Sequence, residues 1–438
     1  MTIMEKINVF ETFAGIGAQH KALEILKTHF NLNYKIVATS EWDIWANISY
    51  NAIHHDNKNI AQTIPTETII EFLNQYTHSH DSKKPISANY FEKQDRLTLE
   101  LLYSSIKNCN NLGSITEIKG QELIDSVKDK RVDLITYSFP CQDLSVAGSF
   151  HGFNQGMKKG SGTRSGLLWE IERILRELKK IDKLPKYLLL ENVKNMLSEK
   201  HKGDYIDWLR FLNKLGYNTK TFILNSGDYG IPQHRERVYG LSVRDDSFLD
   251  TFKETKNIRE LDIPIDISED VEIKTNLSNV LRVNYKDTVQ KQEAAMAQPN
   301  KTPSRKKMFN ENFVLYTKRQ EIVEARLAKR RDLVYQKVSN QYFLNKTRTI
   351  TTKQDRHPNA GVVDLKLTTL ENKVGKANYR FLTPRETYLL MGFSDHDFDK
   401  VIKSGLMKQD ILYRQAGNSI VVNVLVSIFY YLVVKRNE

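Results

Sequence analysis

Short runs of β-branched and apolar residues alternate with helix-forming stretches through the first half of the chain. This alternation constrains the fold more than any other feature. Strands are expected at Ile7–Thr12, Lys35–Ser40, Val132–Tyr137, Lys186–Leu190, Thr219–Asn225 and Val238–Val243, with helices at Ala18–Lys27 and Leu167–Leu178 between them. Strands separated by helices pair in parallel, because a parallel partner needs a long crossover and the helix supplies it. The expected class is therefore α/β, with a mostly parallel sheet flanked by helices. Open sheets of this kind meet their ligands beyond the carboxyl ends of the strands, so candidate chemistry is sought there.

Two segments break the rhythm. Asn57–Leu112 is polar and rich in Asn, Lys and Ser, with helical patterns at Thr66–Tyr76 and Arg96–Lys107; it reads as an insertion on the sheet without identifiable chemistry. After about Phe248 the alternation stops. Between Lys301 and Lys337 stand eleven Lys and Arg against four Asp and Glu, so much of the chain's net charge of +12 is concentrated there. A helix is expected over Gln320–Val338, carrying Lys329, Arg330 and Arg331. Its charges suit either a solvated face or contact with phosphates.

The 438 residues have room for two or three domains. The expected division is a catalytic domain over 1–255 (with 57–112 inserted), a smaller basic domain over 256–347, and a return to the first domain over 348–438. A hydrophobic share of 40% excludes general disorder, and Cys109 and Cys141 are too few for a disulfide scaffold or a four-cysteine metal site. No metal site is expected. The start, MTIMEKINVFETF, lacks the apolar run of a signal peptide. Ser419–Val434 is apolar but short for a span and interrupted by Asn423, so it reads as a buried helix. A soluble, reduced, cytoplasmic protein is expected.

Four constellations fall at strand ends. Phe13-Ala14-Gly15-Ile16-Gly17 follows the first strand and precedes a helix; closely spaced glycines let backbone approach a ligand beside a helix start. Glu41 ends the next strand, where a carboxylate can accept ribose hydroxyls, and Trp42 can stack on adenine. Together they suit an adenosine-bearing cofactor, although the glycine pair alone is equally an ordinary turn. Pro140-Cys141-Gln142 sits in a polar loop after the third strand, a setting for a reactive thiol or for an inert half-buried one. Glu191 closes a strand on the same rim, as an acid or as a helix cap. In Gln233-His234-Arg235-Glu236-Arg237 the alternate residues share one face if extended, for gripping phosphate or a substrate oxygen, or for surface ion pairing. Cys109 has no such setting.

Taken in order, these elements resemble the DNA cytosine-5 methyltransferases. Phe13–Gly17 is similar to that family's first motif, Glu41-Trp42 to the second, Pro140-Cys141-Gln142 to the nucleophile motif, Arg164-Ser165-Gly166-Leu167-Leu168 to the fifth, and Glu191-Asn192-Val193 to the sixth. Gln233–Arg237 resembles the eighth, RFLTPRETYLLMG from Arg380 the ninth, and Gly417-Asn418-Ser419 the tenth. Gly113-Ser114-Ile115 matches the third, with Ser114 in place of the family's usual Asp, which puts the adenine contact in doubt. TYSFPCQDLS and SGTRSGLLWEIERIL look closest to prokaryotic members that modify CpG, whereas the basic block does not share their recognition segment.

The resemblance implies a Rossmann-like S-adenosylmethionine-dependent methyltransferase domain plus a smaller target-recognition domain. It implies Cys141 as nucleophile on carbon 6, Glu191 on ring nitrogen 3 and the amino group, and Arg237, supported by Arg235, on the base's carbonyl oxygen. S-adenosylmethionine would lie on Phe13, Ala14, Gly15, Ile16 and Gly17, with Glu41, Trp42, Ser114, Ile115, Pro140, Leu167, Asn418 and Ser419 around it. Gln142, Ser145, Gln233, Arg235, Lys329, Arg330 and Arg331 are the implied DNA contacts. The implied partner is double-stranded DNA, with a cognate restriction endonuclease as a candidate second partner and a monomer sufficient for the chemistry. Two rivals stand beside this reading: a relative acting on cytosine in tRNA, distinguished by turnover on tRNA, and a DNA-binding relative that has lost catalysis, which intact Cys141, Glu191 and Arg237 argue against.

Overall fold

The computed structural model describes residues 6–141, 143–144, 156–160, 164–244, 266–302, 313–316, 335–338 and 341–434. Their contacts gather into two compact units: one holds the described residues within Met1–Leu224, Glu236–Ile265 and Ile428–Glu438, the other those within Asn225–Arg235 and Asp266–Ser427. Residues 348–427, expected to return to the catalytic domain, gather with the second unit.

The first unit is built on six strands: β1 (Ile7–Thr12), β2 (Tyr34–Ser40), β3 (Leu134–Tyr137), β4 (Tyr187–Val193), β5 (Tyr217–Asn225) and β6 (Glu236–Arg244), in the order β2-β1-β3-β4-β6-β5. β1 pairs in parallel with β2 and β3, and β3 with β4, whereas β6 runs antiparallel to β4. Helix α1 (Ala18–Phe30) follows β1 and α2 (Ile44–His55) follows β2. The inserted segment supplies α3 (Thr66–Leu73) and α4 (Arg96–Asn108).

The core lies between the sheet and its helices. Helix Leu168–Lys180 buries Ile171, Ile174, Leu175 and Leu178, a one-sided stripe at helical spacing, in the same cluster as Phe10, Ile135, Leu188 and Val238 of the strands. Burying each such side chain contributes about 1.5–3 kcal/mol. Cys109 is buried in a smaller cluster with Ala14 and Tyr50, its thiol pushed up to about 12 by loss of water, as expected of an inert cysteine.

The second unit carries a five-stranded sheet, β11-β10-β7-β9-β8, from β7 (Phe313–Tyr316), β8 (Tyr335–Val338), β9 (Gln341–Leu344), β10 (Val362–Asp364) and β11 (Tyr379–Phe381). The helix expected over Gln320–Val338 is corrected at its end: Tyr335–Val338 is a strand, antiparallel to Gln341–Leu344, so hairpin pairing wins over local helix propensity. Lys329, Arg330 and Arg331 lie outside the described residues.

Helical stretch Gln409–Val434 is long and apolar enough to cross a membrane by length and composition, and 72% of its apolar window is buried inside the protein. Asn423 within it donates to the carbonyls of Tyr229 and Ile273 at 2.9 and 3.2 Å. A polar side chain with two fixed acceptors belongs to a protein interior, which fits the expected buried helix.

RFLTPRE folds around a fully buried ion pair. Arg380 donates to both oxygens of Glu386 at 2.7 and 2.8 Å, to the Tyr285 hydroxyl at 2.7 Å and to the carbonyls of Phe381 and Arg282. Glu386 also closes a capping box with Thr383 at the start of helix Pro384–Leu389. Removing one member of such a pair strands the other charge. Arg380→Met is expected to lower unfolding stability by about 3–5 kcal/mol in urea titrations, with Arg380→Met/Glu386→Gln recovering part of the loss. A single-variant loss below about 1 kcal/mol would contradict the account.

Candidate active site

The ladder fixes the geometry of the site. Thr12 of β1 pairs with Ser40 of β2 and with Tyr137 of β3, and Tyr137 pairs with Leu190 of β4. The residues that follow are Phe13, Glu41, Ser138 and Glu191, so three segments leave the sheet beside Glu191, which β4 carries on toward Val193. β6 arrives antiparallel and sets Arg237 opposite Val193. The Arg237 Nε lies 3.3 Å from the Glu191 Oε1, both side chains largely buried.

Phe13, Gly15 and Gly17 all have left-handed backbone, with φ of 51°, 56° and 79°. A Cβ on Gly15 would enter open space, its nearest neighbour being the Phe13 carbonyl at 4.0 Å, so the loop has a cradle that a ligand can fill. Gly17 is different: a Cβ there would stand 2.2 Å from the His54 Nε2. The Glu41 carboxylate accepts from the Gly15 and Asp43 amides at 2.8 Å each, which ties the end of β2 to the glycine loop. Loss of water first, and then the Asp43 charge, push the Glu41 carboxyl up to about 7. Asp43 caps α2 through the Trp45 and Ala46 amides. Asn111 reaches in from the inserted segment: its Oδ1 accepts the Glu41 amide and its Nδ2 donates to the Glu41 carbonyl.

The cysteine loop is held by its carbonyls. Asn192 Nδ2 donates to the Phe139 carbonyl at 3.0 Å, the Ser165 hydroxyl to that of Pro140 at 2.7 Å, and Asn195 Nδ2 to that of Leu144 at 2.6 Å. Cys141 is half-buried in this turn, its own carbonyl accepting the Leu144 amide. Leu167 ends the 3-10 turn Arg164–Leu167 and packs against the core cluster that also holds this loop's Phe139. Ser114 is nearly buried, its hydroxyl paired with that of Thr116 at 2.8 Å, and Ile115 is core.

The structure therefore brings together Phe13–Gly17, Glu41, Cys141, Glu191 and Arg237 in one unit. It corrects the roles expected of Gln233 and Arg235. Gln233 is fully buried, donating to the Leu390 carbonyl and accepting the Ile350 amide. Arg235 is buried among the carbonyls of Ile350, Gly417 and Ser419 at 2.8–3.2 Å. Both residues precede β6, and their side chains are engaged by main-chain groups of the second unit. Asn418 and Ser419 close helix Gln409–Asn418 in that unit. Gln142 and Ser145 lie outside the described residues. Sequence reasoning missed Asn111, Asn192, Ser165 and Asn195 as holders of the loops. Only Asn192 and Ser165 carried any signal, as members of quoted motifs.

Residues 85–433 match the family described as C-5 cytosine-specific DNA methylase. The orphan methyltransferase M.SssI of Spiroplasma monobiae is 40% identical over 287 residues, 64% of this chain and 69% of that protein. The type II methyltransferase M2.ScrFI of Lactococcus lactis subsp. cremoris is 33% identical over 428 residues, 97% of this chain and 98% of that protein. Among solved structures, the Entamoeba histolytica methyltransferase EhMeth aligns over 99% of this chain and 100% of its own, with TM-score 0.56 and 18% identity, a likeness of fold.

Behind the glycine loop, burial pushes the Glu11 carboxyl from 4.5 up to about 8, against the opposing pull of the Tyr50 hydroxyl and of backbone N–H groups at the start of α1. The folded state thus holds this proton more tightly than the unfolded chain. The contribution is full below about pH 4.5 and is lost as pH rises through 8. Glu11→Gln has no proton to lose. Its Tm relative to wild type is therefore expected to rise by a few degrees between pH 5 and pH 9; a pH-independent difference would refute the buried neutral acid.

Proposed function

The chain belongs to the C-5 cytosine-specific DNA methylase family, and we propose that it works through a covalent adduct between Cys141 and the cytosine. It is a DNA methyltransferase acting on carbon 5 of cytosine. The observation that supports the assignment of residues is the shared sheet level of Phe13, Glu41, Ser138 and Glu191, with Arg237 at 3.3 Å from Glu191.

S-adenosylmethionine suits the cradle. Phe13–Gly17 would hold it, with Glu41 at its ribose, Trp42 at its adenine, and Pro140 and Leu167 lining the pocket. When bound, it supplies an electrophilic methyl group. Carbon 5 of cytosine is a poor nucleophile, so the protein must activate the ring. The Cys141 thiolate forms a bond to carbon 6 while the ring's π electrons move toward carbon 5. Glu191 shares a proton with ring nitrogen 3 and accepts from the amino group, and Arg237 holds both Glu191 and the base's carbonyl oxygen. Once carbon 5 has bonded to the methyl group, whose bond to sulfur breaks, loss of the carbon 5 proton returns an electron pair to the ring and expels the Cys141 thiolate. Carbon 6 is shielded in stacked DNA, so the base must leave the helix, at a cost of a few kcal/mol.

In this reading the basic block within 256–347 is the target-recognition domain: side chains read base edges while Lys329, Arg330 and Arg331 neutralise phosphates. The type II name of M2.ScrFI supports a restriction–modification setting; the reading adds a cognate endonuclease on the same site, a cytoplasmic location and one chain as the working unit.

Purified protein incubated with S-adenosylmethionine and unmethylated DNA is expected to protect cytosines within one short recurring sequence, read after cytosine conversion. Cys141→Ala is expected to abolish protection while still binding S-adenosylmethionine; protection by that variant would remove the nucleophile. Replacing Lys329, Arg330 and Arg331 by Gln is expected to lower the magnitude of the salt slope of DNA binding by about 1–3. An unchanged slope would leave them a solvated face.

A further inference from the structure

The Ile16–Gly17 peptide sits between two glycines at φ of 56° and 79°. Glycine tolerates these values and their mirror images alike, so the loop's own sequence does not fix which way this peptide points. Its amide is held from within the loop, donating to the Ala14 carbonyl at 2.9 Å. Its carbonyl is held from outside: the His54 Nε2, on α2, lies 3.2 Å from the Ile16 oxygen. A carbonyl only accepts, so Nε2 must carry the proton.

The imidazole is itself fixed. It stacks on His20 at 4.2 Å between centroids and 11° between planes, with the Tyr50 ring at 4.6 Å. His20 Nδ1 meets the Tyr50 hydroxyl at 2.9 Å, and that hydroxyl donates to Glu11 at 2.8 Å. Gly17 admits the ring edge, since a Cβ there would collide with Nε2. The buried His54 Nδ1 has no hydrogen-bond partner among the described residues. An unmatched lone pair is tolerated there better than an unmatched N–H. Burial also holds the imidazole well below its usual range, hence neutral.

We infer that His54 is a positioning residue for the cofactor loop, its neutral Nε2–H locking the Ile16–Gly17 peptide in the orientation that leaves the Gly15 cradle open. This rests on the reading of Phe13–Gly17 as the S-adenosylmethionine site.

The test is steady-state methylation with S-adenosylmethionine varied at saturating DNA, on the full chain. His54→Phe keeps a ring but offers no N–H; His54→Gln places an amide N–H at the same reach. His54→Phe is expected to raise KM for S-adenosylmethionine about ten-fold with kcat and DNA affinity near wild type. His54→Gln is expected to return KM to within about two-fold of wild type. A role confined to core packing would instead make both variants lose alike, and that result, or a wild-type KM in His54→Phe, overturns the inference. Nitrogen-15 NMR of the histidine rings in wild-type protein decides the matter even where a variant does not fold. The neutral Nε2–H form of His54 at neutral pH supports the latch, and an Nδ1–H form or an imidazolium overturns it. Failure of the wild type to bind S-adenosylmethionine would sink the reading of the loop, visible separately from the tautomer.

Discussion

Main-chain hydrogen bonding in parallel register is the interaction on which the site depends. Because Thr12, Ser40, Tyr137 and Leu190 share one level of the ladder, the glycine loop, Glu41 and the cysteine loop leave the sheet beside Glu191 of β4. A slip of one residue in β4 would turn Glu191 to the opposite face, since side chains alternate. The antiparallel β6 adds what parallel strands alone do not. It delivers Arg237 from the reverse direction, opposite Val193 and diagonal to Glu191, within reach of an ion pair.

Register places the loops; side chains from elsewhere fix their internal shape, and they do so through carbonyls. Asn192 takes the Phe139 oxygen, Ser165 that of Pro140, Asn195 that of Leu144, and His54 that of Ile16. Each bond contributes only about 0.5–1.5 kcal/mol. A carbonyl engaged behind a loop nevertheless determines where the neighbouring amide and side chain point. Glu41 receives the same treatment, held at its backbone by Asn111 and at its carboxylate by Gly15 and Asp43. The inserted segment, which looked free of chemistry, supplies that asparagine.

The strands of the first unit and its helices Ala18–Phe30 and Leu168–Lys180 were legible because their signals are local: apolar runs of strand length, helical stripes, glycine and carboxylate at the ends. Observed ends differ from the expected ones by three residues at most, as at Val132 against Leu134 and Leu190 against Val193. The residues that orient the loops were not legible, because a buried Asn or His is recognised only by the carbonyl it meets, and that carbonyl lies up to 70 residues away in sequence. The strand Tyr335–Val338 was missed for a related reason: its partner, Gln341–Leu344, decides its state.

Arg235 and Arg237 show why spacing alone could not assign roles. In sequence they are alternate members of one basic row; in the structure a strand begins between them at Glu236. Arg235 loses its water and recovers hydrogen bonds from three carbonyls, a set of acceptors whose positions are fixed by the fold. Such a guanidinium has little capacity left for a mobile phosphate. Arg237 meets the Glu191 carboxylate and the Glu236 carbonyl, and keeps about 15% of its side chain exposed. A cation with an incomplete set of protein acceptors can still complete it with substrate. The two arginines therefore differ in the acceptors the fold has already supplied: three carbonyls for Arg235, one carboxylate and one carbonyl for Arg237.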